Sequence, residues 1–63
     1  MVYDKRRYEA ISIGEFIVEG HSEEDAATEF RINVATVRRR LKALAYIDDK
    51  LFIRAMSKIH KRK

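Results

Sequence analysis

Ala27-Thr28-Glu29-Phe30-Arg31-Ile32-Asn33-Val34-Ala35-Thr36-Val37-Arg38-Arg39-Arg40-Leu41 has the residue order of two short helices crossing over a tight turn. A small residue, Ala27, lets the two backbones approach, and the aromatic Phe30 follows it on the first helix. Arg31-Ile32-Asn33 makes the connection: Ile32 plugs the corner with an apolar side chain, and Asn33 is a favoured N-cap for the helix that follows. A β-branched run (Val34, Thr36, Val37) and then Leu41 follow on the second helix. Three consecutive arginines fall on that same helix. A helix wedged into a core on one side and loaded with arginine on the other suits the major groove of duplex DNA. The stretch predicts an all-α fold, a small three- to four-helix bundle containing a helix-turn-helix.

The flanking sequence supplies the other helices. There is no Pro, and both Gly residues lie in the first third, so little interrupts a helical chain. Tyr8, Ile11, Ile13, Phe16, Ile17 and Val18 form a broad apolar face that predicts a helix from about Lys5 to Glu19, with Gly20 as its left-handed terminator. Gly14, inside that helix, costs roughly 1 kcal/mol against Ala, which a close helix crossing would explain. Ser22 caps the next helix, and Asp25 three residues on takes the acidic place of a capping box. Glu23, Glu24 and Asp25 all suit the positive end of the helix dipole. The recognition helix is expected over Val34 to about Leu44. A last helix, starting near Asp48 or Asp49, carries Leu51, Phe52, Ala55, Met56 and Ile59 on one stripe. His60-Lys61-Arg62-Lys63 reads as a basic, frayed end.

Sixty-three residues bound the chain to one domain, 1–63, with a thin core. With no Cys, disulfides and thiolate metal sites are excluded. His21 and His60 have no ligand spacing around them, so no metal or other cofactor is expected. No apolar run approaches the ~20 residues that span a bilayer. The N-terminus turns charged at once and does not read as a signal peptide. The expected location is the cytoplasm, associated with the nucleoid, with no membrane partner and no evident small-molecule ligand. No Gly-rich phosphate loop, nucleophile elbow or paired His and acid is present, so the chain is not expected to be an enzyme.

Charge distribution says more than the net value. In residues 1–30 three Lys or Arg stand against eight Asp or Glu, a balance of −5; in residues 31–63 eleven stand against two, a balance of +9, which together give the net +4. Positive charge segregated in this way is the electrostatic footprint of a polyanion partner.

Helical phasing sorts the recognition helix by face. At about 100° per residue, with Val37 as the origin, Leu41, Val34 and Leu44 fall within about 60° of it and make the core face. Arg39 falls at about 200°, Ala35 at about 160°, Lys42 at about 140° and Ala43 at about 240°, on the opposite side. Thr36 and Arg38 flank them, and Arg40 lies closer to the edge of the core. The N-terminal part of such a helix enters the groove, so Ala35, Thr36 and Arg39 are the candidate base contacts. Arg39 matches the O6 and N7 acceptors of guanine, and Ala35 and Thr36 suit a thymine methyl. Asn33, Arg38, Arg40, Lys42, Lys61, Arg62 and Lys63 are candidate backbone contacts. Arg40 has a second candidate role, pairing with an acid of the first or second helix.

Ile13-Gly14-Glu15-Phe16-Ile17-Val18-Glu19, the Ala27 to Val37 segment with Leu41, and Leu44-Ala45-Tyr46-Ile47-Asp48-Asp49-Lys50-Leu51 together resemble the stage III sporulation protein D group of bacterial transcription regulators. The likeness runs from about Ile11 to Lys61. It implies a sequence-specific DNA-binding regulator of sporulation genes, able to activate or repress, with a basic C-terminal region as a second DNA contact. Three features depart from that pattern. Arg31 stands where the group has the turn Gly, a position that favours positive φ. Arg38-Arg39-Arg40 replaces a more mixed sequence, and the chain stops soon after its last helix. A competing reading is a protein-interaction module that grips a partner through Tyr46, Ile47 and Phe52 around the last helix. A combined reading has a weak homodimer through that helix while the recognition helix reads DNA.

Overall fold

The computed structural model describes residues 5–61 and resolves them into four helices. These are α1 (Lys5–Val18), α2 (Glu23–Phe30), α3 (Val34–Ile47) and α4 (Asp49–Lys61). No strand occurs among the described residues. The architecture is the expected small all-α bundle.

Each boundary has a local cause. Gly20 takes φ 116° just beyond α1, a conformation that L side chains rarely adopt. The Ser22 hydroxyl oxygen accepts from the Asp25 N–H at 3.0 Å, and the Ser22 N–H donates to the Asp25 carboxylate at 3.1 Å, which closes the capping box of α2. Asn33 caps α3 through its side-chain oxygen, which accepts the Thr36 N–H at 2.8 Å. Asp48 serves two helices. Its N–H donates to the Leu44 carbonyl at the end of α3, and its side chain accepts the Leu51 N–H at the start of α4. That shared cap lets α3 run through Ile47, a turn past the Leu44 expected from the apolar pattern.

The core is built from one stripe of each helix. Ile13, Ile17, Val37, Leu41 and Leu44 are its largest fully buried side chains, joined by Ala10, Ala26, Leu51 and Ala55. Among the described residues no polar or charged side chain is buried with them. Val37, Leu41 and Leu44 are the predicted core face of α3, and Val34 lies half-buried at its margin. α1 packs against all three other helices, most extensively α3 and α4. Gly14 is where that packing is closest: a Cβ on it would lie 2.5 Å from a methyl of Leu44 and 3.2 Å from Leu51. The interior glycine is thus explained by the α1–α3–α4 crossing.

Phe16 anchors the α1–α2 corner. Its ring stands edge-on to Phe30 with centroids 5.7 Å apart and stacks on His21 at 3.9 Å. The fully buried small residue of α2 is Ala26; Ala27, expected in that role, is only half-buried.

Candidate nucleic-acid interface

The turn that aims α3 is Arg31-Ile32-Asn33. Arg31 adopts φ 58° and ψ 45°, the only positive φ outside glycine among the described residues. Its N–H donates to the Thr28 carbonyl at 3.3 Å, and the Ile32 N–H donates to the Ala27 carbonyl at 3.0 Å. This pair of bonds is the Schellman arrangement that ends helices at a left-handed residue, usually glycine. Ile32 folds back against the core, which fixes where the next helix starts. The turn therefore keeps the geometry for which glycine is favoured, and Arg31 bears the steric cost of its own Cβ.

On α3 the three arginines take different surroundings. The Arg38 Nε lies 3.4 Å from the Glu23 carboxylate of α2, with the arginine well exposed. The Arg40 Nε donates to the Glu9 carboxylate of α1 at 2.8 Å, with both side chains largely covered. Arg39, between them, points outward and has no hydrogen bond or ion pair among the described residues. Two arginines are thus held by acids on the neighbouring helices, and the middle one keeps its five N–H donors for solvent or a partner.

Around Arg39 the surface is open. Ala35, Lys42 and Ala43 are exposed. Thr36 is half-buried, and its hydroxyl donates to the Asn33 side-chain oxygen at 2.9 Å, so its methyl is the part left to an approaching ligand. Asn33 spends that oxygen on two Thr36 donors, which leaves its amide NH₂ as the group suited to a phosphate. Thr28 turns its hydroxyl onto the Glu24 carbonyl at 3.2 Å. The start of α2 is acidic, with Glu23, Glu24 and Asp25 in its first turn, and disfavours a polyanion there. Of the remaining candidates, Arg62, Lys63 and the Lys61 side chain lie outside the described residues.

In the sequence, one residue of this surface, Tyr46, reads instead as part of an apolar patch around the last helix. Tyr46 is 92% exposed, the most exposed large apolar side chain described. A helix ending at Leu44 leaves Tyr46 outside the phased segment. In the longer α3 it falls at about 180° on the same wheel, in line with Arg39 and Ala35. The outward stripe therefore runs Ala35, Arg39, Lys42, Tyr46. The residues expected to form an apolar patch in a protein-interaction module, Tyr46, Ile47 and Phe52, differ in their exposure. Ile47 and Phe52 are half-buried against the core, and Tyr46 is the exposed one of the three.

Among the described residues no group of three or more His, Cys, Asp or Glu could hold a metal ion, and no helix is long and apolar enough to cross a membrane. No family model matches the chain, and no curated protein or solved structure matches it.

Proposed function

We propose that the chain is a transcriptional regulator that binds double-stranded DNA in a sequence-specific way, with α3 as the recognition helix in the major groove. The observation that carries this reading is the partition of the arginine run. Arg38 and Arg40 are held by Glu23 and Glu9, while Arg39 faces out between small residues with its guanidinium unengaged. A guanidinium so placed suits guanine, and Ala35 beside it lets a base edge come close. Lys42 extends the positive surface toward a phosphate. The resemblance to the sporulation regulators supports the same reading and extends it to a bacterial cytoplasm and to control of sporulation genes.

Binding titrations on a duplex selected from a random pool test the role assignment. Arg39→Ala should cost roughly 1–3 kcal/mol on the preferred duplex and relax its sequence preference, whereas Lys42→Ala should weaken all duplexes alike. If neither substitution altered binding to any duplex, α3 would not be the recognition helix.

A further inference from the structure

We propose that the outward face of α4, with the hollow it shares with the end of α1, docks an acidic amphipathic helix of a partner protein. Lys50, Arg54 and Lys58 follow one another at i+4 spacing, so they form a single row along α4. All three are exposed, and among the described residues none has a hydrogen bond or ion pair. Like charges one turn apart repel, and no acid lies three or four residues from any of them to relieve it. Beside the row stands Ile53, 62% exposed and the one aliphatic side chain among the large apolar residues left exposed. Unlike Tyr8 and Tyr46, it has no hydroxyl to offer water. Helix formation does not call for it either, since a β-branched residue is a weaker helix former than Lys, Glu or Gln. Val18 of α1 and Ile53, Arg54, Ser57 and Lys58 of α4 line a hollow of about 280 Å³.

Charge and shape together select the occupant. The hollow offers Val18 and Ile53 to an apolar side chain, and Ser57 is small enough to let a partner backbone approach. Arg54 and Lys58 stand one turn apart, about 6 Å at roughly 1.5 Å per residue. A helix with acids at i and i+4 beside an apolar residue repeats that spacing. It meets the cations and Ile53 at once, as flanking charge pairs and an apolar seam do between paired helices. A nucleic-acid backbone matches the cations alone and leaves Ile53 and Val18 facing charged oxygens. A neutral apolar partner covers Ile53 but desolvates the cations without pairing them. Position points the same way. The first turn of α1 lines the cleft beside Arg39, whereas Val18 ends the same helix, about 18 Å away at roughly 1.5 Å per residue. The docking face is thus separate from the surface around Arg39, and neither reading requires the other.

A random peptide library selected on the wild-type chain supplies the probe, and the enriched peptide is titrated while amide chemical shifts are followed. The expected peptide carries acids one helical turn apart beside a large apolar residue, and it moves the amides of Val18, Ile53, Arg54, Ser57 and Lys58. Ile53→Gln should weaken it about tenfold, the loss of one buried aliphatic side chain. Arg54→Glu/Lys58→Glu should abolish binding, and a peptide with lysines in place of its acids should bind that variant instead. Both variants should keep the wild-type far-UV circular dichroism, because these positions are exposed. No enriched peptide, or one without acids, overturns the proposal. So does a peptide whose shifts centre on Tyr8 or Tyr46. Binding that Ile53→Gln leaves unchanged overturns it too, since charge attraction alone would then account for the contact. A duplex from a random pool that moves the Ile53, Arg54 and Lys58 amides makes the row a nucleic-acid contact and refutes the docking face.

Discussion

Arg31 holds a left-handed backbone at the turn between α2 and α3, where a side chain with a Cβ is strained by roughly 1–2 kcal/mol. Its side chain is exposed, so removing it opens no cavity. Arg31→Gly should therefore stabilise the fold by about 0.5–1 kcal/mol, after allowing for the entropy that a glycine adds to the unfolded chain. For a domain of this size that is a rise in Tm of about 2–8 °C, readable by thermal circular dichroism. An unchanged or lower Tm would mean that the arginine gains in folded-state contact what it loses in backbone strain. The oddity of Arg31 was legible in the sequence because the turn is short and its neighbours are diagnostic. The division of labour among Arg38, Arg39 and Arg40 was legible only in part. Phasing separated their directions, but Glu9 and Glu23 are contributed by other helices, and which acids meet which arginines depends on tertiary packing.

At the level of the helices, capping chemistry carried most of the information. Ser22 with Asp25, Asn33, and Asp48 are polar residues placed just before apolar periodic runs, and each accepts the expected backbone N–H. The end of α3 was not legible in the same way. Ala45, Tyr46 and Ile47 carry no stop signal, and the helix ends only where Asp48 turns to cap α4. That late end is also why Tyr46 does not show in the sequence as part of the outward face. Gly14 is the reverse case, a residue unfavourable locally and required tertiarily. Gly14→Ala should gain about 1 kcal/mol of helix propensity, yet its Cβ would press into Leu44, which is fully buried and hemmed in. Overpacking of this kind costs typically about 1–3 kcal/mol, so a net loss of stability is expected in chemical denaturation. A gain would mean that the α1–α3 crossing relaxes without cost.

The whole molecule is a small bundle with little reserve. A chain of this length rarely holds more than about 3–5 kcal/mol of folding stability, while truncating a buried leucine costs about 2–5 kcal/mol. Leu41 is 1% exposed and lies opposite the outward stripe of α3. Leu41→Ala should leave the chain largely unfolded at about 25 °C by far-UV circular dichroism; a cooperative fold of near wild-type stability would show that the core repacks around the loss. Charge shows how far a linear reading reaches. The sequence divides into an acidic first half and a basic second half, but Arg6 and Arg7 are carried by α1 to the edge of the basic face, and Glu9 and Glu23 are spent on holding Arg40 and Arg38. The central claim, that α3 reads DNA sequence, is tested most directly by selecting bound duplexes from a random pool with the wild-type chain at two salt concentrations. The account predicts a short enriched motif that persists at both, with total binding falling steeply as salt rises. Salt-sensitive binding with no enriched motif, or no retention of duplex at either concentration, would contradict it.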